Sequence, residues 1–126
     1  MNNTSKYEFT IIVPIYNEED NMKRLENELS AFLPISMMPT CVLMINDGSK
    51  DSSLEMIKDA CRRNKDFFYI SSDQNHGLST AMKAGIDTVE SKYIGYIDSD
   101  LQTNPEDFNL LLRYASEYQL VSGIRA

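Results

Sequence analysis

Short apolar runs rich in β-branched and aromatic residues recur at Phe9 to Ile15, Cys41 to Ile45, Phe67 to Ile70, Tyr93 to Ile97 and Leu120 to Val121. Each is separated from the next by a longer stretch with helical period, so the pattern predicts five strands and four helices. Strands joined through helices pair in parallel with right-handed crossovers, which constrains the chain to the α/β class. The expected architecture is a mostly parallel sheet with helices on both faces. In such sheets ligands gather at the carboxyl ends of the strands.

The helical stretches carry their own punctuation. Met22, Leu25, Leu29 and Phe32 form one apolar stripe, which ends where Pro34 forbids continuation. Ser52 and Glu55 have the Ser-x-x-Glu spacing of a capping box, followed by Leu54, Ile57 and Cys61 as an expected buried stripe. A third helix is predicted from Leu78 to Val89, with Met82, Ile86 and Val89 inward and Ala81 and Gly85 allowing close approach to the sheet. A fourth has Asn104 as N-cap, Pro105 at its first position and Phe108, Leu111, Leu112 and Ala115 as its core face. Pro14 is in tension with a central strand, because it cannot donate to a sheet ladder; it marks where the first strand stops pairing.

Composition narrows the function. The 126 residues suit one domain, and 12 Lys and Arg against 19 Asp and Glu give a net charge of -7. That balance opposes polyphosphate backbones, which require a basic face, so no nucleic acid partner is expected. Cys41 and Cys61 lack metal-ligand spacing and read as reduced core thiols. No apolar run suits a signal peptide or a spanning helix, and the expected compartment is the cytoplasm.

Polar residues collect where the predicted strands end, at Tyr16-Asn17-Glu18-Glu19, Asn46-Asp47-Gly48-Ser49, Ser72 to Gly77 and Asp98-Ser99-Asp100. All four clusters fall on one rim, as for a phosphorylated ligand. Residues two apart on extended chain point the same way, so Asp98 and Asp100 can converge on one cation, although a solvated turn also explains Asp-x-Asp. Carboxylate oxygens select hard cations such as Mg2+ or Mn2+. Such a cation reverses the repulsion between a carboxylate and a diphosphate, roughly 4 kcal/mol per close pair at an effective dielectric of about 20.

Taken in order, Val13-Pro14-Ile15-Tyr16-Asn17-Glu18, Asn46-Asp47-Gly48-Ser49-Lys50-Asp51, Asn75-His76-Gly77, Ala81 to Gly85 and Tyr96 to Gln102 before Pro105 resemble the inverting family 2 glycosyltransferases of the GT-A fold. The Asp-x-Asp-Leu-Gln variant is most similar to the branch that includes dolichyl-phosphate mannose synthase and related polyprenyl-phosphate glycosyltransferases. The resemblance implies a nucleotide-sugar site, UDP- or GDP-linked, built from Pro14, Tyr16, Glu18, Asp47, Asn75, Gly77, Lys83, Asp98 and Ser99. It implies a Mn2+ or Mg2+ site at Asp98, Asp100 and Gln102.

Within that frame Tyr16 stacks on the base. Asp47 accepts from a base N–H, with an Asx turn as the competing reading. Asn75 and Gly77 lie at a helix entrance whose free N–H groups suit phosphate or sugar oxygens, though a plain N-cap explains Asn75 equally well. Lys83 reaches the diphosphate or sits on the wet face. His76 reads as an exposed loop residue, and Arg125 falls where an arginine that faces phosphate often follows the fifth strand.

Family members continue into an acceptor-binding half that carries the general base. That base is expected beyond Ala126, so residues 1–126 read as a single nucleotide-sugar-binding domain, truncated before that half. The acceptor is a glycan or a polyprenyl phosphate, and a longer form is expected to be peripheral at the cytoplasmic membrane face. Two alternatives stand beside this reading. One is a phosphoacceptor signalling domain of similar length and acidity; the other is a catalytically idle module that forms a homodimer through surface its missing half would cover.

Overall fold

A computed structural model describes residues 6–99 of the chain. The expected fourth helix and fifth strand lie outside the described residues, as do Asp100, Gln102 and Arg125. In order, the elements are β1 (Phe9–Ile15), α1 (Glu19–Phe32), a single 3-10 turn (Leu33–Ile35), β2 (Thr40–Asp47), α2 (Ser53–Arg63), β3 (Phe67–Ser72), α3 (Leu78–Thr88) and β4 (Tyr93–Tyr96). The four strands form one parallel sheet in the order β3-β2-β1-β4. The chain therefore builds outward from β1 to β3, then crosses back to place β4 on the other side of β1. At that reversal an open α/β sheet leaves a crevice outside its carboxyl ends.

The period of two in the strands divides the apolar residues between two cores. Phe9, Ile11, Val13 and Ile15 of β1, with Val42 and Met44 of β2, pack under Met22, Leu25, Leu29 and Phe32 of α1 and Ile57 and Ala60 of α2. Ile12, Leu43 and Ile45 face the other way, against Ala81 and Met82 of α3. Helices on both faces follow directly. Each large apolar side chain buried in this way contributes about 1.5–3 kcal/mol. Gly85 lets α3 settle onto its core, since a Cβ there would lie 2.4 Å from Ile45 Cδ1 and 3.3 Å from Ile12 Cγ2.

Several boundaries differ from expectation. β2 runs through Asn46 and Asp47 and β3 through Ser71 and Ser72, because Asn46 pairs with Ser71 and Asp47 with Ser72. Backbone pairing does not require apolar side chains. β1 stops pairing with β4 at Ile12 and continues with β2 to Ile15, so Pro14 lies beyond its β4 partners while remaining inside the ladder to β2.

In α2 the buried residues are Ser53, Ile57 and Ala60. Leu54 and Cys61, expected in the stripe, are half-buried beside them. The capping box does not form: Ser52 makes no side-chain cap bond, and Asp51 Oδ1 accepts from the Ser53 N–H at 2.8 Å instead. Asp51 prevails because its second oxygen also ties the start of α1. Both cysteines are free, Cys41 buried and Cys61 half-buried. Burial pushes each thiol up to about 11, so both stay protonated and inert at neutral pH.

Candidate functional site

At the carboxyl edge, the loop from β1 to α1 is fastened to the loop from β2 to α2. Asn17 has a φ of 52°. Its N–H donates to Ser49 Oγ at 3.0 Å, and its side-chain oxygen accepts from the Lys50 N–H at 2.7 Å. The Glu18 N–H donates to the buried Ser53 Oγ at 2.8 Å. Asp51 Oδ2 accepts from the Glu19 N–H at 3.2 Å, and Glu19 Oε1 accepts from the Ser52 N–H at 2.8 Å.

Two helix starts thus satisfy each other's unpaired N–H groups through acidic side chains, where the helix dipoles favour negative charge. Partial desolvation acts to raise the Asp51 carboxyl. The hydrogen bonds from Ser53 and Glu19 outweigh it and hold the group below the ordinary aspartate range.

One residue ties the entrance of α3 to the end of β2. Asp47 ends β2 on the same face as Leu43 and Ile45, toward α3, and is 6% exposed. Its Oδ1 accepts from the His76 N–H at 2.9 Å and its Oδ2 from the Gly77 N–H at 3.0 Å. Its carbonyl accepts from Asn75 Nδ2 at 3.2 Å. Gly48, with φ 73°, makes this approach possible, because a Cβ there would lie 2.4 Å from both Asn75 N and Gln74 C. The N–H groups that the sequence offered to phosphate or sugar oxygens at the α3 entrance therefore already serve Asp47.

Between these loops lies a cleft of about 560 Å³. Pro14, Tyr16, Glu18, Asp47, Asn75 and Gly77 line it, and Asp98 and Ser99 enter from the end of β4. Tyr16 is 42% exposed, with its ring available at the cleft. Lys83 is not brought there. Its side chain is 77% exposed, its Nζ lies 2.9 Å from Asp87 Oδ2, and it borders a separate groove beside Met82, Ile86 and Tyr96. Its wet-face reading is the one the structure displays. His76, 29 residues from Asp47 in sequence, has an exposed side chain and contributes its backbone.

Among the described residues the cleft gathers three carboxylates, Glu18, Asp47 and Asp98, and no lysine or arginine. Glu18 Oε1 accepts from Asn21 Nδ2 at 2.8 Å. Asp98 is exposed, and its Oδ1 accepts from the Tyr96 hydroxyl at 2.5 Å. Tyr96 and Asp98 are two residues apart and meet on one face, as extended chain requires. An exposed carboxylate oriented by a hydroxyl fits one position around a hard cation. No group of three or more His, Cys, Asp and Glu able to hold a metal occurs among the described residues.

Ile15, Leu78 and Ala81 also line the cleft and were not anticipated from the sequence. Leu78 stands four residues before Met82, a spacing that reads as core, yet it is 55% exposed in the first turn of α3. That conspicuous exposure emerges only from the fold.

Residues 10–126 match the family model of Glycosyl transferase family 2. Similar curated proteins include an uncharacterized glycosyltransferase of Synechocystis sp., 33% identical over 94% of this chain and 37% of that protein. The undecaprenyl-phosphate 4-deoxy-4-formamido-L-arabinose transferase of Aeromonas hydrophila is 31% identical over 99% of this chain and 39% of its own length. The chain thus spans little more than a third of these relatives.

Among solved structures, a mannosyltransferase from Pyrobaculum calidifontis in complex with GDP-Man and Mn2+ aligns with a TM-score of 0.75 at 15% identity, over 87% of this chain and 32% of its own. TarS of S. aureus in complex with UDP-GlcNAc aligns with a TM-score of 0.67 at 25% identity, over 89% of this chain and 32% of its own. These matches decide against the phosphoacceptor signalling reading. No helix among the described residues is long and apolar enough to cross a membrane.

Proposed function

The chain belongs to glycosyl transferase family 2, and from that premise we propose that it is the donor-binding part of an inverting glycosyltransferase using a UDP- or GDP-linked sugar. The observation that carries this reading is the convergence of an exposed tyrosine ring, three carboxylates and the α3 entrance in one cleft at the reversal of strand order. Tyr16 offers a face for the base, Ser99 and Asn75 offer hydrogen-bonding groups, and Asp98 offers an oxygen directed outward.

The electrostatics bear on the cofactor. A diphosphate beside these carboxylates is repelled by roughly 4 kcal/mol per close pair at an effective dielectric of about 20. Asp98, with Asp100 and Gln102, would hold Mn2+ or Mg2+, which when bound would supply positive charge beside the diphosphate. The Aeromonas hydrophila relative is named an undecaprenyl-phosphate 4-deoxy-4-formamido-L-arabinose transferase, and a polyprenyl-phosphate acceptor, whose oxygen is already anionic, needs little help from a general base.

Calorimetry with UDP and GDP, in Mn2+ and again in EDTA, tests the reading. Binding is expected with metal and a loss of at least about tenfold without it, since one opposed charge pair outweighs the 1.4 kcal/mol of a tenfold change. Equal affinity in both conditions removes the metal, and no binding in either removes the donor site.

A further inference from the structure

The contacts at the entrance of α3 give Asp47 a task beyond touching a ligand. Beyond the close approach of Gln74 and Asn75 to Gly48, little else holds the Asn75 to Gly77 segment against the sheet. Asn75 and His76 are exposed, and a Cβ built on Gly77 meets nothing within 4 Å. Packing therefore does not fix Gly77 at its φ of 94°. Ser72 Oγ at the end of β3 donates to the Gln74 carbonyl at 2.9 Å, and the contacts of the next three residues with the sheet end on Asp47: the Asn75 side chain on its carbonyl, the His76 N–H on Oδ1 and the Gly77 N–H on Oδ2.

Two amides on the two oxygens of one carboxylate fix an orientation as well as a distance, as bidentate pairs do. Asn75 and Gly77 line the cleft together with Pro14 and Tyr16. Accepting the donor-cleft reading above, on which this step rests, we infer that Asp47 is a positioning residue: its carboxylate clamps the backbone of His76 and Gly77 to the end of β2 and thereby sets the wall against which the donor binds.

A carboxylate has about four lone-pair sites, so the clamp leaves capacity for a direct contact to a base. The two roles separate in a cycle. Asp47→Asn keeps the shape, but its NH2 faces one amide N–H and half of the clamp is lost. Gly48→Ala leaves the carboxylate intact and drives a methyl toward Asn75 N and Gln74 C. If Gly48→Ala fails to fold by circular dichroism, His76→Pro replaces it, removing one clamped N–H with the carboxylate untouched.

Amide NMR of the metal- and nucleotide-free chain is expected to show the His76 and Gly77 signals displaced and exchanging faster in Asp47→Asn, with β1 amides unchanged. Affinity for UDP or GDP with Mn2+ is expected to fall about tenfold, the scale of one lost hydrogen bond to a charged group. The loop variant should cause a similar fall, and the double variant should be no weaker than the weaker single, because both remove one clamp.

Unchanged His76 and Gly77 signals in Asp47→Asn overturn the clamp. Full affinity in the loop variant, or losses that add in the double variant, assign Asp47 to direct contact alone and overturn its positioning role. Failure of the wild-type chain to bind either nucleotide overturns the donor reading and the ligand part of this inference with it. The amide signals need no nucleotide and decide the clamp separately.

Discussion

The two ends of the sheet carry grooves of opposite character, and the larger is the less informative. At the amino ends lies a groove of about 770 Å³, against about 560 Å³ for the carboxyl-edge cleft. Around the larger groove, polar groups end on one another or on a neighbouring carboxylate. Arg63 donates to both oxygens of Glu26, at 2.6 and 2.9 Å, and Asn64 Nδ2 donates to the same carboxylate at 2.8 Å. The Arg63 hydrogen bonds outweigh burial and hold Glu26 below its usual range. Tyr7 donates to Asp66 at 2.5 Å, and Ser36 and Thr40 share a 2.6 Å bond. At the carboxyl edge, side chains instead tie down backbone and bring carboxylates together without a lysine or arginine among the described lining residues. Volume measures how loosely elements meet; unbalanced charge on a tethered frame marks where a ligand is needed.

The sharpest way to break this contrast is through the glycines of the carboxyl edge. Gly48→Ala combines a φ of 73° with backbone contacts at 2.4 Å, and strain plus overpacking should cost about 4 kcal/mol. Gly77→Ala has a comparable φ of 94° but open space around it, so about 2 kcal/mol is expected from strain alone. Urea denaturation distinguishes the two; equal losses would mean that the close approach of the third loop adds nothing.

Next come two tyrosines, one at each end. Tyr16→Ala should lower UDP or GDP affinity about tenfold through lost stacking, with an unchanged melting temperature because the ring is 42% exposed. Tyr7→Phe should do the reverse. Losing a bond to a charged acceptor costs about 1.5 kcal/mol of stability, while nucleotide affinity holds. Burial, with Asp66 adding to it, raises the Tyr7 hydroxyl, so it remains the donor across the neutral range.

The smallest effect concerns the double cap. Asp51→Ala should cost about 1 kcal/mol at neutral pH, the usual worth of an N-cap. Because the folded-state value lies below the ordinary 3.8, this stability is fully present above pH 3.8 and lost as pH falls through the lowered value. Wild type and variant should therefore converge in stability below that point. A gap in urea midpoint that persists there would show that Asp51 acts by packing rather than by charge.

What the sequence made legible was local. The four described strands and three helices announce themselves through runs of four to seven apolar residues and three-to-four spacing, and the two-faced sheet follows from their alternation. Gly85 was legible as a packing glycine. Apart from Ile15, Leu78 and Ala81, the residues lining the cleft were legible in the motifs at the strand ends. Their partners were not, because Asp47 reaches 29 and 30 residues along the chain, and Asp51 meets Glu19 across 32. Two acceptors side by side, Asp51 and Ser52, also leave the cap undecided until the neighbouring loop is placed. Lys83 could turn to either side of α3, and its i,i+4 partner Asp87 is the one the fold displays.

The return crossover to β4 has a consequence for the order in which the cleft is assembled. Phe9 meets Thr40 across 31 residues but Tyr93 across 84. Closing the longer loop costs about 0.9 kcal/mol more in chain entropy, and β1 and β4 share four paired positions against seven between β1 and β2. The end of the cleft proposed to hold the base, from Tyr16 to Asp47, is thus framed by the early pairing. Asp98 arrives with the late strand. Pulse-labelled hydrogen exchange during refolding should protect the amides of Ile11 and Leu43, which lie between β1 and β2, before that of Gly95, which faces β1, so a chain caught midway already has the platform proposed for the base and lacks the carboxylate proposed for the metal.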